Sequence, residues 1–221
     1  MKFKKEFDNI DKFKNIHAGK RCFIMATGPS IEKQDLSLMK NDIVIGCNLS
    51  ILNYTPNYLG ISDNGMWTRN RDKIINTPCP KFVCACKNVS INNSIYMINR
   101  TPTSEKLYKA QKSFSKNLKL LHYAPSVVLT VAIPLAWHMG FKSIFLIGCD
   151  CTRGHFYDKN KEIADKLEHR NKPAFHGNDW KLKYWRSAKV LFELSGGKIY
   201  NATHGGNLDI FKRVEYESLF K

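Results

Sequence analysis

"FIMATGPSI", residues 23–31, sets an apolar run against the small, turn-prone stretch Ala26-Thr27-Gly28-Pro29-Ser30, and a helical pattern follows. A strand that ends in Gly-Pro and hands over to a helix opens a strand–loop–helix unit. Similar short runs, rich in Ile, Val, Phe and Tyr, occur at 21–26, 42–48, 57–62, 81–86, 94–98, 143–149 and 198–202. Between them the spacing predicts helices over 66–75, 126–139 and 178–195. The second is apolar nearly all round, as a helix buried against a sheet is. The third opens on an Asn-Asp cap signal and stops at Gly196-Gly197. Strands alternating with helices predict an α/β fold, a mostly parallel sheet with helices on both faces. Residues 151–177 break the rhythm. They are polar and follow directly on "SIFLIGCD", so they are read as a lid-like insertion.

A chain of 221 residues is long enough for one sizeable core. The expected division is a basic N-terminal segment, 1–20, and one domain over 21–221. Thirty-five Lys and Arg oppose nineteen Asp and Glu, giving a formal charge of +16. Such a field attracts phosphorylated ligands, anionic lipid or nucleic acid. The lysines are dispersed, with clusters in "KFKKEF" and "KLKYWRSAK", and there is no zinc-finger spacing or aromatic RNA-binding signature. A nucleic-acid partner is therefore disfavoured against an anionic membrane surface. There is no secretory h-region, and the longest apolar run, Val127–Met139, is too short to span a bilayer. The chain reads as cytoplasmic with reduced thiols, peripheral at a membrane at most. Its seven cysteines include the pairs Cys84/Cys86 and Cys149/Cys151, which at strand spacing suit core packing better than metal ligation.

In a parallel sheet, ligands bind beyond the carboxyl ends of the strands. Three predicted ends carry polar residues: Thr27-Gly28-Pro29-Ser30, Asn48, and Gly148 with Asp150. Gly28 would let backbone approach a ligand, and the hydroxyls and N–H groups of its turn would suit phosphate. Neither the dinucleotide nor the P-loop glycine pattern is present. Asp63 and Asp150, each at a strand end, form a candidate acid pair for Mg²⁺ with substrate phosphates. The histidines that suit proton transfer at such a site are His155, His176 and His204. His17, His122, His138 and His169 suit it less, lying in a buried helix or in basic surface stretches. Trp67, Trp180 and Trp185 are core residues or a sugar platform, with helical spacing favouring core for Trp185.

"FIMATGPSIEKQDLSLMKNDIVIGCN" and "SVVLTVAIPLAWHMGFKSIFLIGCD" resemble the opening and the buried helix–turn–strand of two related groups. One is the bacterial sialyltransferase family, single-domain Rossmann-type glycosyltransferases. The other is typified by archaeal 6-hydroxymethylpterin diphosphokinase and is associated with surface-glycan genes. "GGKIYNATHGGNLDIFKRVEYESLF" is closer to the second. The likeness covers residues 21–63, 125–150 and 176–220. It implies a Rossmann-like nucleotide-binding domain and a metal-independent transferase using a nucleotide-activated sugar, CMP-linked, with a glycan acceptor. No cofactor is implied, and Mg²⁺ enters only with the diphosphokinase alternative. A non-catalytic basic binding module is the third reading. By the same likeness Gly28, Pro29, Ser30, Asn48 and Ser126 fall at the nucleotide site. Thr27 stands where the family has Asn, Tyr157 matches a phosphate-binding lid tyrosine, and His176 falls at the general base.

Overall fold

A computed structural model describes residues 10–84, 89, 94–98, 118, 126–152, 154–159 and 179–221. Its centre is an eight-stranded sheet in the order β5-β4-β3-β2-β1-β6-β7-β8, every pair parallel. The strands are β1 Arg21–Met25, β2 Ile43–Cys47, β3 Tyr58–Ile61, β4 Lys81–Cys84, β5 Ile95–Ile98, β6 Ser143–Ile147, β7 Lys198–Asn201 and β8 Lys212–Arg213. All seven predicted strands are present. The eighth is two exposed residues long and offered no apolar run to find. Order and direction make this a Rossmann-like α/β domain, with the chain reversing its direction of travel across the sheet between β1 and β6.

Side-chain alternation sends Cys22, Ile24, Ile45, Phe82, Ile144 and Leu146 to one face. There they meet helix α3, Ile133–His138, and helix α4, Asp179–Leu194. Phe23, Met25, Val44, Phe145 and Ile147 point the other way. That face is covered by 3₁₀ turns at Pro29–Lys33 and Leu36–Asn41 and by the carboxyl-terminal residues Leu219 and Phe220. Helices α1, Asn64–Arg69, and α2, Arg71–Asn76, extend the same cover over Leu59, Ile61 and Val83.

Three local expectations are corrected. The run after Gly28 is 3₁₀ rather than α-helical, since only five residues separate Gly28 from the extended Gln34. The helix expected over 66–75 is two helices that meet at Asn70, whose ψ of 23° breaks the turn. The apolar helix over 126–139 begins as a π-helix, Val128–Ala132, in which the Ile133 N–H bonds the Val128 carbonyl. Pro134 explains this. It has no N–H for the residue four back, and its ring crowds that carbonyl, so the preceding turn widens.

Residues 10–20, within the expected N-terminal segment, pack onto the same core. Ile10 and Phe13 are buried, and the N–H groups of Asn15, His17 and Gly19 bond the carbonyls of His138, Met139 and Gly140 at 2.9–3.0 Å. His17 also reaches the Tyr58 hydroxyl at 2.8 Å and stacks on Phe141. No helix among the described residues is long and apolar enough to cross a membrane.

The wide turn brings Val131 onto β3 where there is no side chain to meet it. A Cβ on Gly60 would lie 2.9 Å from Val131 Cγ1. Gly60→Ala is expected to lose about 1–3 kcal/mol by overpacking, read from urea denaturation. Paired with Val131→Ala it should lose less than the sum of the two single changes.

Candidate functional site

A cavity of about 380 Å³ opens at the carboxyl ends of β1, β2, β3 and β6, beside the reversal between β1 and β6. Thr27 and Gly28 reach it from β1, Asn48 from β2, Asp63 from β3, and Gly148 and Asp150 from β6. Ser126, His155 and Trp185 close it from the helix side and the following loop. Asn48 and Cys151 on its wall hold left-handed backbone, with φ of 50° and 51°. Non-glycine residues persist there when the surroundings over-determine them, which concentrates such residues at ligand sites.

The "TGPS" turn has a structural explanation that corrects the expected phosphate role. The Ser30 N–H and hydroxyl both donate to the Asp150 carboxylate, at 3.1 and 2.8 Å. The Gly28 N–H donates to Gly148 O at 2.8 Å. The donors expected to hold phosphate are therefore spent inside the protein. Ser30 is buried, and neither it nor Pro29, at the start of the 3₁₀ turn, lines the cavity. The approach that Gly28 permits is that of Asp150, because a Cβ there would sit 1.8 Å from Oδ2.

Asp150, 6 % exposed, is thus the brace of the first loop. Asp63 caps α1, its Oδ1 accepting the Met66 N–H at 2.8 Å. Both carboxylates of the proposed Mg²⁺ pair serve the turns that carry them. Among the described residues no three His, Cys, Asp or Glu side chains gather as a metal site.

His155 is held on two sides. Its Nδ1 lies 2.9 Å from Thr27 Oγ1, and its ring stacks on Tyr157 at 4.9 Å and 15°. Nε2 is the nitrogen left for a ligand. Tyr157 lies beneath His155 rather than on the wall, 4 % exposed. Burial pushes its phenol far up, the hydrogen bond from Thr27 offsetting only part, and Asp158 and Asp63 push the same way. It stays neutral and serves as the floor under the imidazole. The loop is anchored by Phe156 N–H to Thr27 O, 3.1 Å, and by Lys159 to Glu32, 2.7 Å.

Two wall residues each hide a buried atom without a hydrogen-bond partner, the acceptor Asn48 Oδ1 and the donor Trp185 Nε1, neither with accessible surface of its own. Ser126 Oγ accepts the Leu129 N–H at 3.3 Å, which starts the buried helix and leaves its hydroxyl hydrogen to donate. The Cys149 and Cys151 pair is not at strand spacing, since β6 ends at Ile147, and both line the cavity. Burial raises both thiols, Cys151 to about 11, so neither is a ready nucleophile. The six described cysteines are free thiols.

Of the residues singled out from sequence, Thr27, Gly28, Asn48, Asp63, Ser126, Gly148, Asp150 and His155 meet at this cavity. His204 does not; it lines a second cavity beyond β7. His176, His122, His169, Cys86 and residues 160–178 lie outside the described residues. Trp185 was read as core. It is buried with its edge on Phe211 at 5.8 Å, and it reaches the cavity as well, which helical spacing alone does not signal. No family model and no curated protein matches the chain, so the likeness to the sialyltransferase and diphosphokinase groups rests on the quoted motifs.

Proposed function

We propose that the chain is a transferase that binds a nucleotide-activated sugar in the cavity at the carboxyl end of the sheet. The observation that carries this reading is the cavity's polar lining, where Thr27, Asn48, Ser126 and His155 converge at the strand ends. The Ser126 hydroxyl hydrogen is left to donate, and His155 bonds Thr27 through Nδ1, which leaves Nε2 to the cavity. Nucleobases and ribose offer partners for both. The place supports the reading too, since ligands of such sheets bind at the reversal of strand order. The cytidine preference and the sugar-transfer chemistry come from the family resemblance.

In the reaction, an acceptor hydroxyl attacks the anomeric carbon. A new C–O bond forms, the bond to the phosphate oxygen breaks, and the nucleoside monophosphate leaves with the electron pair. His155 Nε2, with Nδ1 held by Thr27, takes the hydroxyl proton. Trp185 and Asn48 hold the nucleoside. His155 replaces His176 in this assignment because it stands on the cavity wall.

A melting-temperature panel of CMP, CDP, UDP, GDP and ATP, with and without Mg²⁺, tests the reading. A cytidine nucleotide is expected to raise the melting temperature without metal, as selective binding to the folded state does. Asn48→Ala should weaken that binding by about 1–3 kcal/mol. A shift by ATP with Mg²⁺ alone, lost in Asp63→Asn, transfers the case to a diphosphokinase. Salt-sensitive RNA or DNA binding with no nucleotide shift transfers it to a binding module.

A further inference from the structure

The strands begin at the end of the sheet opposite the proposed nucleotide site, and that end is basic. Lys20 directly precedes β1, Lys142 directly precedes β6, and Lys198 opens β7. These strands are neighbours, and the backbone ties the three lysines together. The Lys142 N–H bonds Lys20 O at 2.9 Å, and the Lys198 N–H bonds Lys142 O at 2.8 Å. Adjacent strands lie about 4.8 Å apart, so three exposed lysines start from one edge within about 10 Å. None of them forms an ion pair among the described residues. On the other side of β1, Lys40 stands at a hollow of about 560 Å³ that Leu38, Leu219 and Phe220 also line. The Asp42 carboxylate there is taken by two bonds from Arg21, at 2.6 and 2.9 Å, and offsets only that partner. Glu193, beside Leu194, offsets at most one lysine.

Exposed aliphatic side chains stand beside this row. Leu194, the last residue of α4, is 79 % exposed, and the next residue, Ser195, accepts the Lys142 ammonium on its carbonyl at 3.1 Å. Val190, also exposed, lies one turn back on the same face of the helix. Ile16 is 43 % exposed, between Asn15 and His17, whose N–H groups bond the end of α3 just before Lys142. Cations next to aliphatic groups match the two layers of a bilayer interface, phosphate headgroups and the acyl boundary. The large hydrophobic side chains exposed among the described residues are Ile and Val and Leu, with no aromatic ring on which a base would stack, so nucleic acid fits this face less well. The cluster "KLKYWRSAK" is not the face, since Lys189 donates to Ile210 O at 3.0 Å and Lys183 lies over the Tyr184 ring.

We propose that the amino end of the sheet docks on a bilayer containing anionic phospholipid, with Lys20, Lys142 and Lys198 on the headgroup phosphates and Leu194 and Ile16 at the acyl boundary. Bringing phosphates to the row relieves the repulsion among its like charges. The cavity at the carboxyl ends then opens away from the membrane, one strand length above it. The docking face does not depend on the nucleotide reading and is tested without nucleotide or activity.

The test is sedimentation of the chain with vesicles of phosphatidylcholine alone and with vesicles that also contain phosphatidylglycerol, at low and at high salt. Binding is expected to the second kind only, and it should fall steeply as salt rises. The triple variant Lys20→Gln, Lys142→Gln, Lys198→Gln should bind about 10²-fold more weakly, since each basic residue near an anionic surface contributes about fivefold. Leu194→Ser should weaken binding about threefold to tenfold and leave its salt dependence unchanged. Lys33→Gln with Lys159→Gln, which removes two charges beyond the carboxyl end of β1, should bind as the unaltered chain does. Should the triple variant fold poorly, Leu194→Ser, at an exposed position, carries the comparison. Equal binding to the two kinds of vesicle, full binding by the triple variant or by Leu194→Ser, or binding to a DNA duplex in place of the vesicles would overturn the proposal.

Discussion

Gly28→Ala is expected to cost about 3 kcal/mol or more of folding stability, at the upper end of single-residue effects. The added methyl would lie 1.8 Å from Asp150 Oδ2 and 2.5 Å from Gly148 O. The first obstacle is a buried carboxylate fixed by two bonds from Ser30, and the second is backbone that already accepts the Gly28 N–H. Neither is the loose end of a flexible chain, so relief requires moving β1 and β6 apart at the centre of the sheet. Asp150→Ala should be milder, because it introduces no clash and costs only the partners of the Ser30 N–H and hydroxyl, a loss of about 2–3 kcal/mol. Combining the two should recover part of the damage. Urea midpoints of the four proteins measure this, and strictly additive losses would refute the clash account.

His155→Ala is expected to lower turnover of a CMP-activated sugar by about 10²–10⁴-fold, the usual contribution of a positioned base. Nucleotide affinity and melting temperature should barely move, because the ring is exposed and its contacts are one bond to Thr27 and a stack on Tyr157. Thr27→Val should lower kcat while Thr27→Ser, which keeps the hydroxyl, restores it. Release of CMP is the readout. His204→Ala should retain full turnover, since that residue lines the other cavity. Unchanged turnover in His155→Ala, with its loss in His176→Ala, would return the base to His176.

What was legible in the chain followed from local signals. Buried parallel strands are short, apolar and β-branched, and "RCFIM", "IVIGC" and "SIFLI" announce themselves. The polar residues beyond them fall at the cavity because strand polarity alone sends them there. The misreadings arise where a distant partner decides. Gly28 and Ser30 answer to Asp150, which is 120 residues beyond Ser30 and invisible in the motif. Asp63 looked like a metal ligand and is an N-cap, because its acceptor meets the Met66 N–H three residues on. Trp185 has the spacing of a core residue, and only the packing of α4 beside the strand ends puts its indole on the wall. His204 follows β7 just as Asn48 follows β2, yet β7 lies on the far side of β6 from β1, so it faces a different hollow.

The central position of β1 has a consequence for the chain as it is made. One edge of β1 can pair with β2 as soon as residues 43–47 emerge, but the other waits for 143–147. At typical translation speeds of about 5–20 residues per second, that interval lasts on the order of ten seconds. Throughout it an apolar strand, Phe23 to Met25, presents open N–H and C=O groups to any neighbour on the ribosome or beside it. The nascent chain is therefore most prone to stick to itself before β6 appears. A stall placed far enough past residue 147 for β6 to have left the exit tunnel should leave far less aggregated product than one that keeps β6 inside it.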